Sequence, residues 1–281
     1  MSQQKSHTHT FEHKAMKTTF TLRLKHEDKK LAQNAAREAT ELIDEIENKL
    51  SRYIQGSDVW QINHMQAGQS LFLSELCYDC LCEGLKAYEQ TGGLFDVTLG
   101  RLIEHRKNKQ TSPAPELVGQ LVVLPDRPAI QCQEAGREID LGGIGKGFAL
   151  DRAKKLITEW GIKSGILSAG ASTHLAFGPQ KWTLGLTGKK ETREIMIQEQ
   201  ALSASGTVIQ EEHIVAATEL EAECQYPRVW VLHPSATWAD VWSTTAMLLS
   251  MEELREMANQ FAGLYVENPA NGCVEQIEAS F

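Results

Sequence analysis

The stretch "REIDLGGIGKGFALDRAKKL", residues 137–156, constrains the fold of this chain more than any other. Asp140 is followed by a run rich in glycine, and then by an amphipathic pattern that predicts a helix over about 147–160. The glycines are Gly142, Gly143, Gly145 and Gly147. Glycine lets a turn expose its backbone N–H groups, and a helix N-terminus adds positive potential. The stretch therefore predicts a strand, a tight turn and a helix, which is an arrangement typical of phosphate binding.

Two common phosphate fingerprints do not match this turn. A Walker A loop needs Gly at 140 and Ser or Thr at 147, where the chain has Asp140 and Gly147. The dinucleotide fingerprint fails because Phe148 stands at its third glycine. Lys146 lies in the first turn of the predicted helix, where its charge opposes the helix dipole and favours a nearby anion. From the residues alone, phosphate binding and a plain packing role for the glycines remain equally open.

Composition excludes several classes of protein. The chain has 281 residues, of which 42% are hydrophobic, and this is enough for a substantial core. A formal charge of −9 without basic runs argues against a broad nucleic-acid or acidic-membrane surface. No apolar run approaches the ~20 residues that span a bilayer, and no signal peptide or lipobox is recognisable. We expect no nucleic-acid partner, no membrane span, a cytoplasmic location, a disordered leader over 1–15 and one domain over 16–281.

Hydrophobic periodicity predicts an α+β fold. Alternation at Phe20, Leu22 and Leu24 predicts a strand, and an apolar stripe over 31–50 predicts a helix. Further helices are predicted at about 74–90, 238–250 and 252–262, and further strands at "QLVVLP", "REIDL", "GILSAG", "WTLGL", "REIMIQ" and "RVWVLH". The polar segment 104–119 is predicted to be a surface loop. This order favours mixed or antiparallel sheets with packed helices over a doubly wound parallel sheet.

Two other groups of residues can carry chemistry. Asp240 and Thr244 stand four apart at a predicted helix start, so a carboxylate and a hydroxyl can converge on one small, hard cation. The alternative is a helix cap at Asp240 and a hydroxyl bonded to its own helix at Thr244. Cys77 and Cys80 share a face of a predicted helix, and we expect them to pack rather than to bind metal.

Several segments together resemble the ApbE-type flavin transferases, the FAD:protein FMN transferases. "MKTTFTLRL" is similar to the opening strand of that family, "LSRYIQGSDVWQIN" to M-S-x-Y...S-[DE]-[IV]-x-x-[IL]-N, and "TGGLFDVTLGRL" to T-G-G-x-F-D-x-T-[VL]-x-x-L. "DLGGIGKGFALDRA" is similar to D-L-G-G-I-A-K-G-Y-A-x-D, and "WADVWSTTAM" to A-D-A-x-[SA]-T-A. The motifs occur in the family's order. The resemblance implies an ApbE-like, T-fold-related architecture.

The resemblance also implies an activity and a site. Proteins of this family bind FAD and magnesium, transfer FMN to a Thr or Ser of an acceptor protein, and release AMP. The implied metal ligands are the carbonyl of Gly145 and the side chains of Asp240 and Thr244, with Asp240 also counted as catalytic. The implied flavin-nucleotide residues are Tyr53, Asp96, Gly142, Gly143, Lys146, Ser168, Ala169, Gly170, Ser205 and Gly206. His213 matches a family histidine, and its imidazole is the predicted general base.

The chain departs from the family pattern in its second half. The family's N-A-G-G-D is "SAGAS" here, residues 168–172, and its T-S-G-D-Y is "ASGTV", residues 204–208. The Asp and Pro that follow the family histidine are Ala216 and Ala217. These changes keep two alternatives open besides protein flavinylation. One is an FAD pyrophosphatase that uses water as the acceptor, and the other is an FAD-binding protein without transferase activity.

Overall fold

The structure, a computed structural model, describes residues 7–108, 112–207 and 224–279. The helices are α1 (Lys29–Leu50), α2 (Asp58–Ile62), α3 (Glu75–Gln90), α4 (Gly100–Lys107), α5 (Gly145–Glu159), α6 (Ala236–Ala246) and α7 (Met251–Met257), with a short 3-10 helix at Ala258–Gln260. The first strands are β1 (His7–Ala15), β2 (Thr18–His26), β3 (Ser70–Phe72), β4 (Gln120–Leu124), β5 (Ala129–Glu134), β6 (Gly165–Ala169) and β7 (Thr173–Phe177). The remaining strands are β8 (Trp182–Thr187), β9 (Thr192–Ile197), β10 (Ala201–Gly206), β11 (Arg228–His233), β12 (Gly263–Glu267) and β13 (Val274–Gln276).

The chain divides into two compact units. Unit 1 comprises Met1–Glu45, Lys146–Gly206 and Tyr226–Phe281, and unit 2 comprises Ile46–Gly145 and Thr207–Gln225. One boundary between them falls within the first turn of α5, and another within α1. The single domain expected over 16–281 stays a prediction.

Unit 1 contains an eight-stranded sheet in the order β1-β2-β6-β7-β10-β11-β12-β13 and a separate β8-β9 hairpin. All of these pairings are antiparallel. Because side chains alternate between the two faces of a sheet, the large sheet buries different residues on each side. Its hairpin face packs Leu202, Trp230 and Leu232 against Leu186 and Ile197 of the hairpin. Its helix face, which carries Thr173 and Ser203, lies under α6.

Unit 2 is built on the three-stranded sheet β3-β5-β4, which is also antiparallel, together with α2, α3 and α4. Ser57 caps α2 and Ser74 caps α3, since each side chain accepts a hydrogen bond from a backbone N–H of the first turn. Asp58 joins the two helices by accepting from the Ser74 backbone N–H at 2.8 Å. Cys77 and Cys80 are buried in α3, and neither belongs to a disulfide; burial agrees with the packing interpretation.

Most of the predicted elements are confirmed, and so is the α+β class with antiparallel sheets. The strand at residues 18–26 and the helices of 29–50, 75–90 and 145–159 match their sequence patterns. Gly161, with φ of +84°, ends α5. Among the described residues, no helix is both long enough and apolar enough to cross a membrane.

Three expectations are wrong. Residues 7–15 are not a disordered leader but strand β1, which pairs along its whole length with β2. The segment "REIDL" is not a strand: its backbone pairs with residues 97–100 only through an isolated bridge between Glu138 and Leu99. Between these bonds, Ile139 donates to Asn63 Oδ1 at 2.7 Å and accepts from Asn63 Nδ2 at 2.9 Å. The expected surface loop over 104–119 begins as helix, since α4 runs to Lys107.

Candidate active site

The first turns of α5 and α6 meet in unit 1, next to Asp240, which the sequence predicts as a metal ligand. The backbone N–H of Gly147 donates to Asp240 Oδ2 at 2.7 Å. A side chain at Gly147 would clash with the carbonyl oxygen of Ala236 and lie 2.7 Å from the Thr237 nitrogen. Gly147 does not have the positive φ that glycine alone adopts easily. The glycine therefore permits close approach of two helices, and the approach brings the carboxylate to the helix N-terminus.

Hydroxyl groups surround the Asp240 carboxylate on the helix face of the large sheet. Thr173 Oγ1 donates to Asp240 Oδ1 at 2.7 Å, and Ser203 Oγ donates to the same oxygen at 2.5 Å. The network continues through Ser243 Oγ, 3.3 Å from Ser203 Oγ, to Ser205 Oγ at 2.9 Å. Thr244 Oγ1 lies 3.2 Å from Ser205 Oγ. A buried carboxylate and a row of hydroxyl oxygens thus share one surface.

Burial controls the charge of Asp240. Desolvation raises the pKa of this carboxyl above its ordinary value, although Lys146 and the hydrogen bonds from Ser203, Thr173 and Gly147 oppose the shift. A carboxylate that is buried in this way gains from a cation close by. Lys146 supplies one positive charge from the first turn of α5, and its Nζ donates to Ser172 Oγ at 3.0 Å. Ser172 stands where the family pattern has an Asp, so Lys146 bonds a neutral hydroxyl at this position.

The other predicted residues of unit 1 are only partly gathered at this site. Ser205 belongs to the hydroxyl network. Ser168, by contrast, pairs with His174 across the strands and lies on the hairpin face, where its Oγ is 2.9 Å from His174 Nδ1. Burial lowers the pKa of His174 to about 4. Ala169 ends β6, and Gly170 follows with φ of +60° and donates its N–H to the Thr19 carbonyl at 2.9 Å.

Gly206 ends β10 and has no room for a side chain. A Cβ there would lie 2.8 Å from the Pro227 carbonyl oxygen. The space at this strand end is therefore limited, although less so than at Gly147.

The glycine turn before α5 belongs to unit 2 up to Gly145. Asp140 Oδ1 accepts the Gly142 N–H at 2.7 Å, and the Gly145 N–H donates to the Leu141 carbonyl at 2.8 Å. Gly142 is exposed and Gly143 half-buried. None of the turn glycines has a positive φ. The turn is held by one carboxylate and by local backbone bonds.

An ion network surrounds Asp140. Arg52 Nη1 lies 3.3 Å and Lys107 Nζ 3.4 Å from Asp140 Oδ2, while Arg52 Nη2 donates to Glu138 Oε2 at 2.6 Å. The side chains of Arg52 and Asp140 are 10% and 6% exposed. Burial pushes the pKa of Asp140 upward, but Lys107, the Gly142 N–H and Arg52 outweigh it, so the pKa is lowered. Asp140 is therefore ionised while it holds the turn.

Tyr53 and Asp96 also lie in unit 2. Tyr53 is half-exposed, and its OH donates to Glu104 Oε2 at 3.0 Å. Burial of the hydroxyl, together with that bond, raises the pKa of Tyr53 to about 12. Lys107 Nζ lies over the Tyr53 ring, 5.9 Å from the ring centroid. Asp96 Oδ1 accepts from both the N–H and the hydroxyl of Thr98 at 2.7 Å, which is a turn-forming role.

The predicted general base and the predicted metal ligands stay predictions. His213 lies outside the described residues. Within residues 7–108, 112–207 and 224–279, no group of three or more His, Cys, Asp or Glu side chains is placed to hold a metal ion. The predicted set of one Asp, one Thr and one backbone carbonyl is of another kind, and its ligand roles stay predictions.

The sequence did not single out several residues that bond Asp240 or the start of α6. Thr173 and Ser203 donate to Asp240, and Ser243 connects the network, yet none has a pattern that singles it out. Asp151 closes the glycine motif in the sequence and bonds the start of α6, with its Oδ2 accepting from Thr237 N at 2.9 Å. One sequence signal pointed to Asp151: it stands four residues after Gly147, and residues at i and i+4 share a helix face.

Solved structures of ApbE proteins have the same fold as this chain. The ApbE protein from Thermotoga maritima matches 97% of this chain and 97% of its own, with a TM-score of 0.82 at 21% identity. The apo form of the flavinyl transferase ApbE from Pseudomonas stutzeri matches 98% of this chain and 96% of its own, also at 0.82, with 19% identity. These likenesses show that the ApbE fold is shared.

The sequence identifies the family. A sequence model described as the ApbE family matches residues 16–266, so the chain belongs to that family. A protein of Treponema pallidum (strain Nichols) named "FAD:protein FMN transferase" is 21% identical over 272 residues, covering 82% of this chain and 75% of that protein.

Proposed function

We propose that this chain is an FAD:protein FMN transferase that uses Mg²⁺. It transfers the FMN moiety of FAD to a Thr or Ser hydroxyl of an acceptor protein and releases AMP. The acceptor oxygen forms a bond to the FMN phosphorus, the diphosphate P–O bond breaks, AMP leaves with the bridging oxygen, and the hydroxyl proton is lost. The observation that carries the proposal is the buried Asp240 carboxylate, which accepts the Gly147 N–H in the first turn of α5, within the stretch that resembles the family's glycine motif.

The residues around Asp240 fit a magnesium ion. Mg²⁺ binds carboxylate, hydroxyl and phosphate oxygens, and one or two carboxylates suffice beside a nucleotide. Asp240 and Thr244, with the carbonyl of Gly145, are the proposed ligands. An ionised carboxylate has about four acceptor positions, and three protein donors are bonded to that of Asp240. When bound, the metal would supply charge neutralisation for the phosphate groups.

The protein itself prepares this surface. Thr173 and Ser203 fix the Asp240 carboxylate from the sheet side, so that the carboxylate does not need to reorganise when a ligand arrives. Lys146 adds a positive charge, and its Nζ donates to a neutral hydroxyl, that of Ser172, at 3.0 Å. A phosphate group is a stronger acceptor for an ammonium than a hydroxyl is. Lys146 is therefore proposed to bind a phosphate of FAD.

The proposed roles of the remaining residues follow the family pattern. Ala169, Gly170, Ser205 and Gly206 are proposed nucleotide neighbours, as are Tyr53, Asp96, Gly142 and Gly143. Among these, the network position of Ser205 supports its role most directly. Ser168 has the weakest support, because its side chain bonds His174 on the hairpin face. His213 remains the proposed general base, and a cytoplasmic location remains a prediction.

The test measures all three products at once. The full chain is incubated with FAD, Mg²⁺ and a library of Thr- and Ser-containing peptides, and the mixture is analysed by mass spectrometry. FMN on a peptide together with AMP supports the transferase. Free FMN with AMP would support the pyrophosphatase, and bound FAD without AMP would support a binding protein.

A matched pair of variants tests the site. Thr244→Val removes a proposed ligand hydroxyl, and we expect at least a tenfold loss of AMP release. Thr245→Val is the control, because the Thr245 hydroxyl is buried and bonds the carbonyl of Val241 in its own helix at 2.9 Å. Equal activity in the two variants would remove Thr244 from the proposed site.

A further inference from the structure

Asp151 holds the start of α6 through four hydrogen bonds. Its Oδ2 accepts from Ser235 Oγ at 2.7 Å, Thr237 N at 2.9 Å and Thr237 Oγ1 at 2.7 Å. Its Oδ1 accepts from Ala236 N at 3.0 Å. Ser235 is itself the N-cap of α6. The carboxylate of one helix thus satisfies backbone N–H groups that another helix leaves unpaired at its N-terminus.

The arrangement is reciprocal. Asp151 of α5 binds the first turn of α6, and Asp240 of α6 binds the N–H of Gly147 in the first turn of α5. Gly147 and Asp151 lie four apart on α5, and Ala236 and Asp240 lie four apart on α6, so each pair shares a face of its helix. Each carboxylate also lies at the positive end of the other helix's dipole. The two contacts fix both the separation and the rotation of the two helices.

The rotation of α6 determines where Asp240 lies. A helix held at one point can turn about that point, whereas contacts one turn apart on both helices leave little freedom. Because Gly147 has no side chain, the backbones of α5 and α6 approach closely enough for both contacts. Loss of the Asp151 contacts would release the first turn of α6, and the rotation of the helix would then depend on its packing against the sheet and on the bonds of Asp240 with Gly147, Thr173 and Ser203.

We propose that Asp151 is a positioning residue for the cation site: it holds α6 in the rotation that aims Asp240 and Thr244, and so it sets the affinity for a divalent cation. This inference rests on the proposed function. Asp151 is not proposed to touch the cation or FAD. Its effect passes through α6, in the way that partners behind a ligand orient the ligand itself.

The test measures Mn²⁺ binding by electron paramagnetic resonance on the full chain, without substrate. We expect Asp151→Ala to weaken Mn²⁺ affinity about tenfold or more. Asp151→Asn keeps the shape and one acceptor oxygen, so its affinity should lie between those of Asp151→Ala and the unaltered chain. Thr237→Val removes the hydroxyl that donates to Asp151 Oδ2. This variant serves as the test if Asp151→Ala does not fold.

The control removes a similar cap elsewhere in unit 1. Glu253 Oε2 accepts from the N–H and hydroxyl of Ser250 at 2.7 Å in the capping box of α7. Glu253→Gln should lower the melting temperature, as the Asp151 variants do, but leave Mn²⁺ affinity unchanged. Hydrogen exchange at the Gly147 amide should accelerate in Asp151→Asn and not in Glu253→Gln, because only the former loosens the bond to Asp240.

The outcomes separate the inference from the function on which it rests. Saturable Mn²⁺ binding that weakens in Asp151→Asn and Asp151→Ala, but not in Glu253→Gln, supports the inference. Binding of equal affinity in the unaltered chain and in the Asp151 and Thr237 variants overturns the inference alone. If the unaltered chain shows no saturable Mn²⁺ binding, the cation site in the proposed function fails, and the inference fails with it.

Discussion

Gly147 shows how one residue can serve a different purpose from the one its pattern suggests. The glycine-rich run predicts a turn that exposes N–H groups, but the run has ordinary backbone angles. What Gly147 supplies is the absence of a side chain where α6 crosses α5. Gly145, two residues earlier on α5, has open space around its missing Cβ. The two glycines are therefore equivalent in sequence pattern and different in packing.

We expect Gly147→Ala to destabilise the protein by about 2–3 kcal/mol, since the added methyl group overpacks against the α6 backbone. Gly145→Ala is the matched control and should change stability by less than about 1 kcal/mol, in the stabilising direction, because Ala favours helix. Urea denaturation measures both. Similar midpoints for the two variants would show that α5 and α6 do not approach closely at Gly147.

Asp240 should make stability depend on pH in a direction opposite to that of most carboxylates. Its folded pKa is raised above the ordinary value of 3.8. The stability that it contributes is fully present below the unfolded pKa and is lost as pH rises through the folded pKa. In metal-free buffer, the free energy of unfolding of the unaltered chain should therefore fall relative to that of Asp240→Asn as pH rises above about 4.

Chemical denaturation over a pH series, with a chelator present, measures this difference. Asp240→Asn has nearly the same volume and can still accept a hydrogen bond, so packing should change little. A difference that stays constant or grows with pH would contradict the raised pKa. The same variant should lose at least a hundredfold in AMP release, because it removes the proposed metal carboxylate.

Among the elements, the glycine turn depends on a buried ion network, in addition to the backbone bonds that Glu138 and Asp140 make with residues 97–100. Arg52 contacts Asp140 and Glu138 and also donates to the Gly100 carbonyl at 2.6 Å. The pKa of Asp140 is lowered, so its stabilising contribution is present above the unfolded pKa of 3.8 and is lost as pH falls through the folded value. The network therefore stabilises the turn at neutral pH.

We expect Arg52→Met to destabilise the protein by about 3 kcal/mol at pH 7, because it leaves a buried carboxylate with one cation fewer. The loss should shrink in acid, as the pH falls through the lowered pKa of Asp140. Lys86→Met is the control, since the pair of Lys86 with Glu83 on α3 is largely exposed and should contribute less than about 1 kcal/mol. Equal losses for the two variants would mean that the Asp140 network does not hold the turn.

A local hydrophobic pattern predicts a helix or a strand well when one face of that helix or strand is exposed to solvent. Strand β2 and helix α1 have clear periods, and both are predicted. Strand β1 was missed because Phe11 and Ala15 are its only apolar residues, which is too weak an alternation to predict a strand without the pairing with β2. "REIDL" has the composition of a strand, but the backbone of Ile139 bonds to the side chain of Asn63, 76 positions away in the sequence. Such non-local partners cannot be read from a local window.

For the molecule as a whole, motif order identifies the family, and the structure adds the connections between motifs. The sequence places Asp240 and Gly147 in separate motifs, and the fold brings them within hydrogen-bond distance. The sequence does not predict that Ser168 lies on the opposite sheet face, because a face is fixed by pairing register. Nor does it predict the hydroxyl network, since Ser and Thr residues are common and only packing selects among them.

The proposed site should make thermal stability depend on two ligands jointly. A ligand at about 100 times its dissociation constant stabilises the folded state by about 2.7 kcal/mol, and this raises the melting temperature by about 5 °C for a chain of this size. Since Mg²⁺ is proposed to bind Asp240 and phosphate oxygens together, FAD should raise the melting temperature further when Mg²⁺ is present than when a chelator replaces it. Asp240→Asn should retain a shift with FAD alone and lose the Mg²⁺ increment. If Mg²⁺ raised the melting temperature of Asp240→Asn by the same increment, the cation would bind somewhere other than at Asp240. The proposed chemistry would then have to lie elsewhere too.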